Sequence, residues 1–219
     1  KGHHGMYIKG DYHLIEGNVI YNNAEYGIHL YNGEGSVKHC IVRNNVLYGN
    51  GVELATGGSG IIVTQGGNLI YNNICYGNGR YGIIAWNVPA SDPPNKIYNN
   101  VLYGNGRAGL ALDGASNTIA KNNICADNQE HNLFVLNSFN TIFDYNCYWP
   151  DGRFLWMPAG RGAAPPLPGG RGQPGVGRGA AGGERARGDV AGRGQADTLP
   201  NGFAAYQKLS GQDAHSICQ

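Results

Sequence analysis

The sequence predicts an all-β protein, a right-handed parallel β-helix solenoid of about six coils with a low-complexity C-terminal tail. One short phrase recurs along the chain, and its aligned asparagine is spaced by 27, 28, 27, 23 and 23 residues. The repeats hold only runs of three to five residues with alternating apolar positions, bounded by Asn and Gly. Such runs are strand and corner signals, and they are too short for helices. Each repeat is therefore predicted to close as one coil.

Two strand signals alternate in chain order. The first is a run of alternating apolar residues, usually led by Gly, at 5–9, 27–31, 60–64, 82–86, 109–113 and 132–136. The second is the asparagine phrase, at 16–23, 43–50, 71–78, 98–105, 121–128 and 144–151. Because parallel strands lie about 4.8 Å apart, equivalent residues of successive coils are predicted to stack in columns.

The columns around the repeated asparagine give each position a predicted role. The asparagines are expected to form a corner ladder, because Asn tolerates left-handed backbone and stacked amides can hydrogen-bond between coils. Two apolar columns are expected to fill the interior. The column three residues before the asparagine is Ile15, Val42, Ile70, Ile97, Ala120 and Phe143. The column one residue after it is Val19, Val46, Ile74, Val101, Ile124 and Cys147.

Two further columns bear on function. Tyr21, Tyr48, Tyr76 and Tyr103 stand three residues after the asparagine. A row of rings braces a solenoid or binds sugars, and the sequence favours bracing. Cys75 and Cys125 share a column two coils apart, which is too far for a disulfide, so they are expected to be core thiols.

Composition limits the classes of function. The net charge is +1, only 14% of residues are charged, and no stretch approaches the roughly 18 apolar residues of a membrane span. No nucleic-acid or membrane partner is therefore expected. The five cysteines form no CxxC pair, so no zinc site is expected either.

The repeat resembles the pectate-lyase-like superfamily of right-handed parallel β-helices over about residues 5–156. That superfamily includes lyases, hydrolases, epimerases, adhesins and phage tailspikes. The resemblance implies that a catalytic groove would run along an outer face of a parallel sheet. It also implies a secreted, carbohydrate-active protein with a polysaccharide as its partner. A monomer is expected.

The sequence divides into three parts. Residues 1–156 are the predicted β-helix, and residues 157–200 are a Gly/Arg/Pro-rich tail with too few large apolar residues to pack. A stretch read in a shifted frame is another interpretation of that tail. Residues 201–219 resemble the closing segment of bacterial secreted β-helix proteins, with a short helix at 203–209 followed by Gly211, Gln212, Asp213 and Ser216.

The candidate site lies on the outward rows of the Gly-led strands. Tyr7 and His29 share one row, and Lys9 and Tyr31 share the adjacent row, so neighbouring coils bring the four together. They are the predicted catalytic residues, since a β-eliminating lyase needs a base, an acid and a cation. Neither His29 nor Lys9 is expected to be buried. The predicted substrate-binding residues are Trp86, Asp113 and Thr64.

Other functions remain open at this stage. A glycoside hydrolase needs clustered carboxylates, and Asp11, Glu16, Glu25, Glu34 and Asp113 do not stack in one column. Glu16 is expected to pair with Arg43. No cofactor is expected, although Ca²⁺ at Asp11, Glu25 or Glu34 is an alternative without a loop signature. The sequence favours a lyase for an acidic polysaccharide over a hydrolase, or over a non-catalytic carbohydrate-binding or structural β-helix that is a piece of an enzyme.

Overall fold

A computed structural model describes residues 3–31, 33, 35–53, 57–151, 153–159 and 202–218. The described chain winds into a parallel β-helix with three sheets, here called A, B and C, along its sides. The strands of sheet A are Met6–Ile8, Ile28–Leu30, Ile61–Val63, Tyr81–Trp86, Ala108–Asp113, His131–Leu136 and Phe154–Met157.

The other two sheets complete each coil. The strands of sheet B are Leu14–Glu16, Ile41–Arg43, Leu69–Tyr71, Asn95–Tyr98, Thr118–Lys121 and Ile142–Asp144. The strands of sheet C are Val19–Tyr21, Val46–Tyr48, Ile74–Tyr76, Val101–Tyr103, Ile124–Ala126, Cys147–Trp149 and Ile217–Cys218. The predicted solenoid of about six coils is confirmed. Of the predicted tail, residues 160–200 lie outside the described residues.

One of the two predicted interior columns is wrong. The column directly after the asparagine points outward, with Val19 62% and Ile74 39% exposed. The column two residues after it fills the core instead, and it consists of Ile20, Leu47, Cys75, Leu102, Cys125 and Tyr148. The asparagine side chain itself points inward. Because side chains alternate along a strand, the next residue points outward and the one after it points inward. The column three residues before the asparagine is buried as predicted.

The predicted asparagine ladder is present, with one correction. Each side-chain amide donates to the Oδ1 of the next, at 3.0 Å from Asn45 to Asn73 and 3.0 Å from Asn73 to Asn100. The left-handed residue is the one before each ladder asparagine, as at Asn44 and Asn72 with φ of 56° and 54°. That turn directs the ladder side chain into the coil. There its amide N–H groups also donate hydrogen bonds to backbone carbonyl oxygens.

A second ladder, which the repeat analysis did not predict, lies at the other end of the sheet C strands. Its amides run from Asn23 through Asn50, Asn78 and Asn105 to Asn128, with Nδ2–Oδ1 distances of 2.9 to 3.0 Å. Again, each preceding residue has a positive φ. The two ladders fix both corners of sheet C in every coil from the first to the fifth.

The stacked tyrosines on sheet C behave as a brace. Neighbouring rings of Tyr21, Tyr48, Tyr76 and Tyr103 have centroids 5.0, 4.9 and 5.0 Å apart and planes within 12° of parallel. Their faces therefore cover one another and only their edges line the surface between the ends of the stack. A sugar ring needs an open aromatic face, so this geometry favours the bracing interpretation.

The C-terminal segment closes the last coil. Helix α1, Phe203–Ser210, confirms the predicted helix, and Tyr206 is fully buried against Phe154, with ring centroids 4.8 Å apart. The asparagine ladder ends here, because Asn146 donates to Asp213 at 2.8 Å. Ile217–Cys218 then pairs with Cys147–Trp149 in sheet C. The segment supplies the partners that a seventh coil would otherwise supply.

Candidate functional site

The outer face of sheet A has the predicted rows. Tyr7 is in register with His29, and His29 with Ile62, along one column of successive coils. One expectation is wrong: His29 is only 6% exposed. Tyr26, Tyr81 and Trp86 pack against the apolar members of the row, and tyrosine rings pack against His29. The site is therefore a partly enclosed cluster and not an open surface.

His29 ends a hydrogen-bonded chain of three side chains. Nδ1 of His29 lies 3.1 Å from Nε2 of His4, and Nδ1 of His4 lies 3.2 Å from a Glu25 carboxylate oxygen. The backbone N–H of Tyr26 is also directed at Nδ1 of His4, at a longer 3.4 Å, as a donor that this nitrogen accepts only when it carries no proton. We assign the proton of His4 to Nδ1, facing the nearer Glu25. His4 then accepts from His29, and the lone pair of His29 lies on Nε2.

Burial keeps this imidazole neutral. Burial first, and the neighbouring His4 second, lower the pKa of His29 to about 3. The pKa of His4 is also lowered by burial, against the opposing attraction of Glu25. A neutral imidazole with its lone pair on Nε2 can accept a proton, and in this tautomer Glu25, through His4, determines which nitrogen does so.

Three tyrosines enclose His29. The ring of His29 is 5.1 Å from that of Tyr7, 5.0 Å from Tyr26 and 5.0 Å from Tyr31, all edge-on. The ammonium group of Lys9 lies 5.8 Å from the centre of the Tyr7 ring. The structure thus brings together all four predicted catalytic residues. It adds His4, Glu25 and Tyr26, which the repeat analysis did not assign.

A shallow cleft continues this face toward the C-terminal coils. Its floor is Ile62 and Ile84, the next members of the His29 row, and Tyr26 borders both the cleft and His29. Trp86 and Asp113, two of the predicted substrate-binding residues, line its edge. Thr64 does not line it: its side chain is 3% exposed, and its hydroxyl donates to the carbonyl oxygen of Leu30.

Arg80 and Tyr81 border the opposite side of the cleft, and Arg107 contacts Tyr81. The Tyr81 hydroxyl accepts from Arg107 at 2.8 Å and from Arg80 at 3.3 Å. Arg107 also pairs with Glu130, at 3.2 Å. These residues were missed, although the sequence carries a signal for them: the phrase Gly-Asn-Gly-Arg occurs at 77–80 and again at 104–107. Equivalent positions in neighbouring coils place both guanidinium groups on the one Tyr81.

Comparison with known proteins identifies the family. The sequence profile described as "Right handed beta helix region" matches residues 4–152. The chain belongs to the right-handed β-helix family. No curated protein matches it. Among solved structures, the crystal structure of the periplasmic alginate epimerase AlgG is 23% identical, with a TM-score of 0.57.

The match to AlgG covers 66% of this chain and 32% of AlgG, so this β-helix spans about a third of that protein. The A-module of the mannuronan C-5 epimerase AlgE4 of Azotobacter vinelandii is 17% identical, with a TM-score of 0.45. That match covers 65% of this chain and 47% of the module. At these identities, the likeness to AlgG establishes the β-helix fold.

Of the carboxylates considered for Ca²⁺, the two that the structure describes each have another partner. Asp11 accepts from the backbone N–H of Lys38 at 2.7 Å, Glu25 faces His4, and Glu34 lies outside the described residues. Within the described part of the chain, no three His, Cys, Asp or Glu side chains are grouped to hold a metal ion. No helix in that part is long and apolar enough to cross a membrane. The predicted pair of Glu16 and Arg43 is present, at 2.9 Å.

The buried His29 predicts a pH dependence of stability. Its pKa is about 3 in the folded chain and 6.5 as the ordinary value. Between those limits the unfolded chain binds a proton that the native state does not, so stability falls as pH decreases from 6.5 toward 3. We expect the free energy of unfolding to lose a few kcal/mol over this range. Urea unfolding at several pH values measures it.

The control is His29→Gln, which removes the titrating group. The variant should lose less stability than the native chain between pH 6.5 and 4. Some loss should remain in both proteins, because burial also lowers the pKa values of the half-buried His4 and His131. If the two proteins lose stability in parallel over that interval, His29 does not carry a depressed pKa.

Proposed function

We propose that this β-helix protein acts on an acidic polysaccharide, as a lyase that cleaves by β-elimination on the outer face of sheet A. The observation that carries the proposal is the Glu25–His4–His29 chain, which presents a neutral imidazole among three phenols and the ammonium group of Lys9. This is the equipment of a proton-abstracting site.

Groups of this cluster can supply both proton transfers of the β-elimination. Nε2 of His29 takes the proton from the sugar carbon next to the carboxylate. The electron pair of that C–H bond forms the C4=C5 double bond while the bond from C4 to the glycosidic oxygen breaks. A phenol, Tyr7 or Tyr31, donates its proton to the departing oxygen. Lys9 stabilises the negative charge that develops on the carboxylate.

The similarity to AlgG supports a polysaccharide as the substrate class. AlgG, the solved structure that shares the β-helix fold, is an alginate epimerase, and alginate is an acidic polysaccharide. A secreted or periplasmic location suits such a substrate and is proposed with it. We retain the expectation that the protein is a monomer without a cofactor.

The experiment is turnover of a panel of acidic polysaccharides, followed by the absorbance of the new double bond. On pectate, alginate or a glycosaminoglycan, we expect product from the native chain and a loss of 10²- to 10⁴-fold in kcat for His29→Gln. The control is His215→Gln, which replaces an exposed histidine paired with Asp144 on sheet B. That variant should keep full activity.

Other products decide between the alternatives. New reducing ends without a double bond would indicate a hydrolase, and a changed sugar composition without chain cleavage would indicate an epimerase. Binding without any product would indicate a carbohydrate-binding or structural β-helix. Each of these outcomes overturns the lyase proposal.

Glu25→Gln should shift the pH profile of kcat, because the carboxylate acts on His29 only through His4.

A further inference from the structure

The cleft beside the His29 cluster has the features of a binding site that the proposed reaction does not use. It is lined by two apolar side chains at its floor, by Trp86 and Asp113 at one edge, and by Arg80 and Tyr81 at the other. An apolar floor between polar edges suits an amphipathic ligand such as a sugar ring, whose C–H faces and hydroxyls differ in polarity.

Arg80 determines which ligand charge the cleft favours. Its guanidinium lies over the Tyr81 ring, 5.0 Å from the centroid, and donates to the Tyr81 hydroxyl. Among the described residues, no carboxylate pairs with it, whereas Arg107 is paired with Glu130. Arg80 thus holds a positive charge at the cleft that a ligand carboxylate can take up in a two-pronged contact.

Two further polar groups face the cleft. The Tyr81 oxygen accepts from both arginines, so its own O–H remains to donate. Burial raises the pKa of Tyr81, which keeps that proton in place. The hydroxyl of Ser59 is buried at the cleft and has no hydrogen-bond partner in the described part of the chain. A buried hydroxyl without a partner is costly unless a ligand or water satisfies it.

We propose that the cleft is a subsite for one uronate residue of the polysaccharide. Its carboxylate pairs with Arg80 and accepts from Tyr81, its ring packs on Trp86 and the isoleucine floor, and its hydroxyls bond to Asp113 and Ser59. This inference rests on the proposed function, and it names the charged unit that the sheet A face recognises.

The register of sheet A links the subsite to the reaction. Ile62 of the cleft floor is the direct neighbour of His29 in the next coil, about 4.8 Å along the axis. A chain that lies along the solenoid axis with one uronate in the cleft therefore places a neighbouring unit over His29. Binding energy gained at Arg80 then positions the reacting unit.

The test measures binding separately from turnover. The full chain carrying His29→Gln, and thus unable to react, is titrated by calorimetry with alginate and pectate oligosaccharides. Neutral mannan oligosaccharides and sulfated glycosaminoglycan fragments are the comparison ligands. We expect uronate oligomers to bind in a salt-dependent way, and Arg80→Gln to weaken that binding by ten- to a hundredfold. Trp86→Ala should weaken it as well.

Arg43→Gln is the matched control, because it replaces an arginine of sheet B that pairs with Glu16. It should bind uronates like the parent. The inference is overturned if Arg80→Gln binds as tightly as the parent while its melting temperature is unchanged, if no uronate binds, or if neutral or sulfated oligomers bind equally well. If Arg80→Gln loses uronate binding but the native chain forms no product, the lyase proposal alone is wrong. Product formation with unchanged affinity in Arg80→Gln sinks the subsite alone.

Discussion

Replacing Asp213 with asparagine is expected to destabilise the protein by roughly 3–5 kcal/mol, because about two of its four buried donors lose an acceptor. The carboxylate is 1% exposed. It accepts from Asn146 at 2.8 Å, Tyr148 at 3.1 Å and Tyr206 at 2.6 Å, and also from the Ser216 hydroxyl. An amide offers one oxygen and adds two donors of its own, so the cluster cannot be satisfied.

Asp213 joins three parts of the C-terminal cap. It ends the asparagine ladder, holds helix α1 through Tyr206, and fixes the last coil through Tyr148. We expect Asp213→Asn to lower the midpoint of urea unfolding and to open the cap first, which amide hydrogen exchange at Phe203–Ser210 can follow.

The matched control is Asp127→Asn. Asp127 and Asp213 both have a left-handed backbone, with φ of 51° and 56°, and Asn tolerates that conformation. Asp127 is exposed, so its replacement should change stability by less than about 0.5 kcal/mol. If both variants unfold at the native midpoint, the cap does not depend on the carboxylate.

Replacing Asn73 with alanine is the second large expected effect, again roughly 3–5 kcal/mol. The Asn73 amide donates to the Val42 carbonyl at 2.9 Å and to Asn100 at 3.0 Å. Its oxygen accepts from the backbone and the side chain of Asn45, at 3.1 and 3.0 Å. All these groups are buried, so alanine leaves donors and acceptors unpaired on both sides of the rung and adds a small cavity.

Asn18→Ala is the control within the same ladder. Asn18 is the first rung, only half-buried, and its amide donates to Asn45 at 2.9 Å. Its loss should cost about 1 kcal/mol, since water can replace the missing amide there. Urea unfolding of the two variants compares the rungs. Equal losses at Asn18 and Asn73 would show that the ladder contributes through local corner geometry alone, and not through buried hydrogen bonds between coils.

The site was predictable only in part. The outward rows placed Tyr7, His29, Lys9 and Tyr31 together, because strand alternation and coil stacking determine which residues share a column. His4 and Glu25 were not assigned, because they stand before the Gly-led strands, where the repeat gives no direction for a side chain. The exposure of His29 was wrong for a related reason: the rings that cover it come from neighbouring rows and coils.

The sequence by itself determined the solenoid, its strands and its stacking, because a repeated phrase imposes the same turn on every coil. The same repetition predicted the buried apolar column before the asparagine and the asparagine ladder itself. Only the tertiary structure decided which way each strand faced after a corner, since the left-handed residue before the asparagine resets the alternation. It also decided that Asp213 ends the ladder and that Arg80 and Arg107 share Tyr81. Asp213 and the ladder, like Arg107 and Tyr81, are far apart in the sequence and are brought together by the winding of the coils, so the repeated phrase alone does not give the contact between them.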